Sequence, residues 1–464
     1  MQTDFDVIVI GAGPGGEVAV SRLLAGGLRV ALIERELIGG ECGYWACIPS
    51  KTLLRPTEAR AEAANAAGLS APALDWPALR GYRDFMIRHL DDSEQIAGYQ
   101  RQGVTVVKDT ARLTGRNPWR VRAGDTEFSA THVVIATGSR PVRPPLAGLD
   151  DLDATTLWTN REATTLRDVP GRTVMIGGSA VGVELGQFMA RMGSQVTIVQ
   201  RGPCLLGRED PRVGELVADR LGDDGIAVRL SRQAVTARPV GADTVVELDD
   251  GTAIRTDVIV LGAGRRPNTE NLGLDTVGVT PGERSQIDVD EHCRVTGDGL
   301  WALGDVTGIA MFTHVAMYQG RLVADNILGA RRRADYTAIP RVVFAQPEVA
   351  AVGLTAEQAA RRGLDITTAE LDLPEALARP WTYETHPAGT LGLVADRDRR
   401  VLVGAWAVAP LAGEWIHQAA LAIRAHIPID TLLDGIAQFP TYSEAYLHAA
   451  EELNLGPRAS AATP

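Results

Sequence analysis

Short apolar runs closed by glycine, each followed by a stretch of helical periodicity, dominate the first two thirds of the chain. Residues 5–10 (Phe-Asp-Val-Ile-Val-Ile) read as a strand that ends in Gly11-Ala-Gly13-Pro-Gly15-Gly16. A helix is predicted from Glu17 to Ala25, and a second strand, 29–33, closes on Glu34. Strand, glycine turn, helix, strand and acid in this order predict a dinucleotide-binding unit. Gly11 permits the tight turn, Gly13 lets backbone approach a pyrophosphate, and Gly16 lets the helix pack on the strand. The helix N-terminus then faces the phosphates, and Glu34 stands where it accepts from a ribose hydroxyl.

The pattern recurs. A strand at 173–176 runs into Gly177-Gly178-Ser179-Ala180-Val181-Gly182, a helix through Arg191 and a strand at 196–199. Ser179 replaces the middle glycine, and Gln200-Arg201, with Arg208 beyond, stands where the first unit has its acid. Two such units predict two nucleotides with electrons passing between them. Two further apolar runs also match each other: 133–138, ending in Gly138, and 258–264, ending in Gly264. Each sits where a doubly wound sheet takes its returning strand. Near 300, Leu-Trp-Ala-Leu-Gly-Asp305 reads as a strand ending on an acid. From about 338 the rhythm changes to alternating strands (342–345, 391–395, 401–408) mixed with helices near 356–362 and 411–426, a separate α+β unit. Residues from about 457 to the end read as a loose tail.

Composition narrows the function classes. A 464-residue chain suggests about three domains, and 22% charged with 45% hydrophobic residues is ordinary globular composition. A net charge of −12 argues against nucleic-acid or anionic-membrane partners. No apolar run is long enough for a membrane span. The acidic start Met1-Gln-Thr-Asp4 is unlike a secretory leader, and four cysteines make no disulfide scaffold, so the expectation is a cytoplasmic protein. Only Lys51 and Lys108 are lysines against 44 arginines, which makes Lys51 stand out.

Cys42 and Cys47 lie in Gly39-Gly-Glu-Cys42-Gly-Tyr-Trp-Ala-Cys47-Ile-Pro49-Ser-Lys51. Five residues apart on a regular helix they would point about 140° from each other, so they meet only if Cys42 sits in a distorted helix entry. Pro49 suits an early helical position, and a thiol at a helix N-terminus has a lowered pKa.

On these motifs the chain resembles the flavoprotein disulfide reductases: dihydrolipoamide dehydrogenase, glutathione reductase, mercuric reductase and their relatives. The resemblance implies a fold of two Rossmann-like dinucleotide-binding domains plus a C-terminal α+β dimerisation domain. It divides the chain into an FAD-binding part (1–149), an NAD(P)H-binding domain (150–271), a return to the FAD domain (272–337) and an interface domain (338–464). It implies FAD on the first glycine unit, with Glu34 on the adenosine ribose and Asp305 on the ribityl chain, and NAD(P)H on the second. Cys47 becomes the flavin-proximal thiol and Cys42 the interchange thiol, with Lys51 and Glu184 an ion pair beside the flavin. The segment Phe344-Ala-Gln-Pro347-Glu-Val-Ala-Ala-Val-Gly353 resembles the start of the family's interface domain, implying a head-to-tail homodimer. Cys204 and Cys293 match no motif and read as structural, and no metal ligands are assigned.

Two departures matter. Between the cysteines the family has an Asn and a Gly, where this chain has Gly43-Tyr44-Trp45-Ala46. The aromatic pair either lines a substrate pocket or packs in the core. The family's His-Pro-Thr-x-x-Glu is Phe439-Pro440-Thr441-Tyr442-Ser443-Glu444, so Phe439 replaces the acid–base histidine while Glu444 remains. A positioned histidine contributes on the order of 10²–10⁴-fold to protonating a leaving thiolate. Mercuric reductases lack the histidine but carry a C-terminal cysteine pair, whereas no cysteine follows Cys293 here. 2-Ketopropyl-coenzyme M oxidoreductase/carboxylase also has Phe there, with His where Glu444 stands. His448, one turn beyond Glu444, and His314 read as packing or surface residues. The sequence therefore predicts an NADPH-dependent FAD oxidoreductase, NADPH being preferred over NADH because Arg201 and Arg208 suit a 2′-phosphate. Its acceptor is a small non-disulfide molecule, a quinone or similar electrophile. The alternatives are a thioether-cleaving or carboxylating enzyme, a classical disulfide or dihydrolipoamide reductase using another proton donor such as Tyr442, and a flavin-bound redox sensor.

Overall fold

A computed structural model describes residues 4–241, 243–297 and 299–455; Met1–Thr3 and the expected tail lie outside the described residues. The first apolar run forms Phe5–Ile10 within an eight-stranded sheet, flanked by Val30–Ile33 and Thr126–Ile135, both parallel to it. Its residues from Val7 onward are buried because both faces are covered. Val7 and Val9 pack under helices Pro14–Ala25 and Thr313–Ile327, while Ile8 and Ile10 pack against the antiparallel strands Ala111–Gly115 and Trp119–Ala123. The strand's two neighbours leave in opposite directions, so a crevice opens at its carboxyl end, where Gly11 lies. The first helix starts earlier than the periodicity suggests, at Pro14, where a missing N–H costs nothing.

The second unit repeats this plan. Arg172–Ile176 lies between Gln195–Gln200 and Val258–Leu261 in a five-stranded parallel sheet. A three-stranded meander, Ala234–Val240, Asp243–Leu248 and Ala253–Thr256, is appended to it. Past 338 the sheet becomes antiparallel, with spatial order Arg341–Val343, Glu348–Gly353, Val401–Ala409, Thr390–Asp396, Ile366–Asp372. Helices His417–Arg424 and Ala445–Glu451 supply buried residues to the core on this sheet. The fold is therefore mixed α/β, two Rossmann-like sheets followed by an α+β unit, as the sequence predicts.

Helix Ala180–Arg191 is the centrepiece. Every residue from Gly182 to Met189 is buried, so it has no solvent face. It shares one apolar cluster with Leu53 and Leu54 of the long helix Cys47–Asn65 and with Val343 and Val349 of the C-terminal sheet. All three parts of the chain meet on it.

One tie at this junction has no sequence signal. Arg83, on helix Trp76–Met86, is 2% exposed and donates to the carbonyls of Thr164 and Leu166 in the second unit, with Asp84 2.7 Å from its Nε. Arg83→Leu leaves two buried carbonyls without donors, each costing about 1–3 kcal/mol. The expected loss is about 2–5 kcal/mol, read as a lower urea midpoint; a loss below about 0.5 kcal/mol contradicts the assignment.

Candidate active site

Cys42 sits in the short helix Gly40–Tyr44, and Cys47 opens the helix Cys47–Asn65. The break between them is the distorted entry that a five-residue spacing requires, and Pro49 falls in the first turn of the second helix. Both cysteines are half-buried free thiols whose ionisations influence each other. Cys47 is lowered to about 6, first by the hydrogen bond from Cys42, then by Thr313 and the nearby Lys51 charge, against the opposing effect of burial. Its Sγ lies 3.4 Å from Thr313 Oγ1, a neighbour that sequence reasoning missed because it is 266 residues away. The Cys42 thiol is pushed up, first by donating to Cys47 and then by burial. The two thiols are thus pushed in opposite directions, with Cys47 the more readily ionised of the pair.

Lys51 projects from the same helix, and its Nζ is 2.7 Å from Glu184 Oε2 on the buried helix Ala180–Arg191. Glu184 is only 5% exposed, and its other oxygen accepts from the Phe344 backbone N–H at 2.9 Å. Lys51 Nζ also stands 4.6 Å above the Phe344 ring. Phe344 was marked by sequence only as part of the interface-domain segment, not as a neighbour of Lys51.

The two glycine turns superimpose in their contacts. Gly11 has φ +102° and a Cβ there would stand 2.3 Å from Ala136 O; Gly177 has φ +112° and meets Gly262 O at 2.6 Å. A Cβ on Gly16 or Gly182 would strike the carbonyl of the turn's first glycine, at 2.1 Å in both units. Gly13 faces open space, a cradle against the helix N-terminus that fits a pyrophosphate. Gly138 and Gly264 turn the return strands with φ +69° and +117°. Glu34 is buried, and its carboxylate accepts from Ala12 N and Glu36 N, both at 2.7 Å. Asp305 is raised by burial and accepts from Ser139 Oγ at 2.6 Å. The residues present fit an FAD.

In the second unit Gln200 takes the place of Glu34. Its Oε1 accepts from Gly178 N at 3.0 Å, the bond that Glu34 makes to Ala12, and its Nε2 donates to Cys204 O at 3.2 Å. Arg201 and Arg208 are exposed and make no ion pair among the described residues.

Comparison with known proteins agrees with this geometry. The model of the pyridine nucleotide-disulphide oxidoreductases matches residues 5–320, and that of their dimerisation domain matches 339–450. The chain belongs to this family. It is 36% identical to a mercuric reductase of Streptomyces lividans over 97% of this chain and 96% of that one. It is 34% identical to a dihydrolipoyl dehydrogenase of Thermus scotoductus over 97% of each. Its structure resembles RclA, an HOCl-induced flavoprotein disulfide reductase from Escherichia coli, with TM-score 0.85 and 27% identity over 96% of this chain and 99% of that one. As a pyridine nucleotide-disulphide oxidoreductase the chain is an FAD-dependent enzyme that uses a pyridine nucleotide. No described helix is long and apolar enough to cross a membrane.

Other expected residues fall elsewhere in this oxidoreductase. Tyr44 is fully buried and donates to Ile38 O, whereas Trp45 is half-buried beside it with Arg161 over its ring. Phe439 is 72% exposed. Glu444 Oε2 is buried without a hydrogen-bond partner among the described residues, and its Oε1 lies 3.7 Å from His448. The Tyr442 hydroxyl is likewise buried without a partner. His314 stacks on Phe312 at 5.2 Å, and burial lowers its pKa. Cys293 is buried and Cys204 half-buried.

The lowered Cys47 pKa gives a titration. In the two-electron-reduced holoprotein the thiolate signal should persist at pH 7 and disappear on acidification with a midpoint near 6. Lys51→Met and Thr313→Val each remove a stabilising group, so each should move the midpoint upward. A midpoint near that of an ordinary thiol, about 8.5, in the unmodified protein contradicts the arrangement.

Proposed function

We propose that this enzyme takes electrons from NADPH and passes them, through FAD and a Cys42–Cys47 disulfide, to a small acceptor that is not a disulfide, a quinone or similar electrophile. The observation that carries the reading is Phe439 in the histidine's sequence position while Glu444 keeps a buried carboxylate oxygen without a donor among the described residues. The carboxylate that would orient a proton carrier is retained and the carrier is gone. A leaving thiolate then lacks its proton source, whereas a quinone is reduced without expelling one.

FAD supplies the two-electron centre between the nucleotide and the cysteines. Glu34, Asp305 and the turn of Gly11, Gly13 and Gly16 would hold it, with Gly138 at the return strand and Lys51 beside it. The chain's own residues do the rest. Cys42 holds the proton, Cys47 holds the charge, and Lys51, fixed by Glu184, keeps that charge in place. The exposed side chains of Phe439 and of Ile436, which is 100% exposed, belong to the segment that a second copy would cover, consistent with a homodimer.

The preference for NADPH rests on Gln200. It makes the same turn contact as Glu34 but carries no charge, so it does not repel a 2′-phosphate, and the exposed Arg201 and Arg208 can pair with one. Gly177, Gly182 and Gly264 would shape the remainder of that site.

Arg201→Ala should raise KM for NADPH about 10- to 100-fold, the worth of a charge-assisted hydrogen bond, and leave KM for NADH nearly unchanged. Equal or better kcat/KM with NADH in the unmodified enzyme contradicts the assignment. Phe439→His, near the retained Glu444 carboxylate, should raise turnover of glutathione disulfide or lipoamide on the order of 10²-fold. No gain in a folded variant contradicts the place given to Phe439. Absence of NADPH oxidation with any of a panel of acceptors favours a redox sensor.

A further inference from the structure

The residues between the cysteines are one of the two departures noted in the sequence, and the structure puts a specific contact there. Cys42 and Cys47 lie on two helices joined only by Trp45 and Ala46. The short helix Asn160–Thr164, from the second unit, grips that joint. The Arg161 guanidinium stands 4.1 Å from the Trp45 ring centroid. Asn160 Nδ2 and Thr164 Oγ1 donate to the Trp45 carbonyl at 2.7 and 3.2 Å. On the other side of Cys42, Glu41 accepts from Arg161 Nε at 2.6 Å, from Asn160 Nδ2 at 3.1 Å and from Arg265 Nη2 at 3.3 Å. Arg161 is itself fixed at its far end by Glu36, 2.8 Å from Nη2.

Cys42 therefore lies between two gripped residues. Arg161 is held by two carboxylates and forms a rigid cationic shelf, and the Trp45 ring rests on it. A guanidinium over an indole is worth about 0.5–1 kcal/mol when exposed and about 2 when desolvated. The carbonyl hydrogen bonds survive any side-chain change at position 45, so the ring contact can be removed on its own.

We propose that Trp45 is a positioning residue: its seat on Arg161 holds Cys42 within bonding reach of Cys47 and thereby sets the potential of the disulfide. The proposal rests on the reading of these cysteines as the redox pair. As the pair closes, the S–S bond forms, the Cys42 S–H bond breaks, and two electrons and that proton leave for the acceptor. Opening takes two electrons from NADPH and returns one proton to Cys42. A clamp that raises the effective concentration of one sulfur at the other favours the closed form. Loosening the clamp should make the disulfide easier to reduce.

The test is equilibration of the FAD-loaded protein in glutathione redox buffers, with the disulfide fraction read by alkylation and mass spectrometry. Trp45→Leu, which keeps apolar bulk without a π face, and Trp45→Ala should each lower the closure equilibrium constant about tenfold, about 30 mV for a two-electron couple. Trp45→Phe, which keeps a ring over Arg161, should stay within about threefold of the unmodified protein. If Trp45→Leu retains the unmodified potential, packing alone positions the turn and the proposal is overturned. Should Trp45→Ala fail to fold, the Leu and Phe variants decide. If Cys42 and Cys47 of the unmodified protein remain alkylatable in every buffer, the redox-pair reading itself fails, a result distinct from an oxidisable pair indifferent to Trp45.

Discussion

A buried carboxylate organises this molecule. Glu184 lies on a helix with no solvent face, and an unpaired charge there would cost several kcal/mol. It is tolerated because Lys51 arrives from the cysteine-bearing helix at 2.7 Å and the Phe344 N–H arrives from the start of the C-terminal sheet at 2.9 Å. Each partner comes from a different part of the chain. Satisfying one carboxylate thus sets three units in register, and the same lysine contributes to the lowered pKa of Cys47.

The duplicated units show how little must change to alter what a shared frame binds. Both turns bring a glycine against the carbonyl of the return strand and close the helix onto the turn at the same distance. Both seat the residue at the end of the second strand on the turn's next N–H. That residue is a carboxylate in one unit and a neutral amide in the other. The difference is one charge on an unchanged hydrogen bond.

What the sequence made legible follows from how local the constraint is. The glycine turns could be read because Gly11 and Gly16 are dictated by contacts within their own strand–turn–helix unit and its return strand. The two sheets and the change of rhythm near 338 followed from runs of buried residues. The resemblance pointed to Lys51 and Glu184, and the structure brings them together. Contacts between distant segments left no pattern to read. Arg161 meets Trp45, Thr313 meets Cys47 and Arg83 meets Leu166 across long stretches of chain, and each looks like an ordinary residue in its own window. The aromatic pair admitted a pocket or a core from sequence. The structure places Arg161 over the Trp45 ring and the Tyr44 hydroxyl on Ile38 O, two contacts that local sequence could not announce.

In this site the Cys47 thiol is lowered and the Cys42 thiol is pushed up, and Phe439 stands at the position where the resemblance leads one to expect a histidine. On the function we propose, such a site delivers electrons to acceptors that expel no thiolate. The most direct measurement is kcat/KM for a small quinone against that for glutathione disulfide and lipoamide, in the same preparation with saturating NADPH. The account predicts the quinone ahead by about 10²-fold or more, the scale of a missing general acid. A disulfide turned over as fast as the quinone contradicts it.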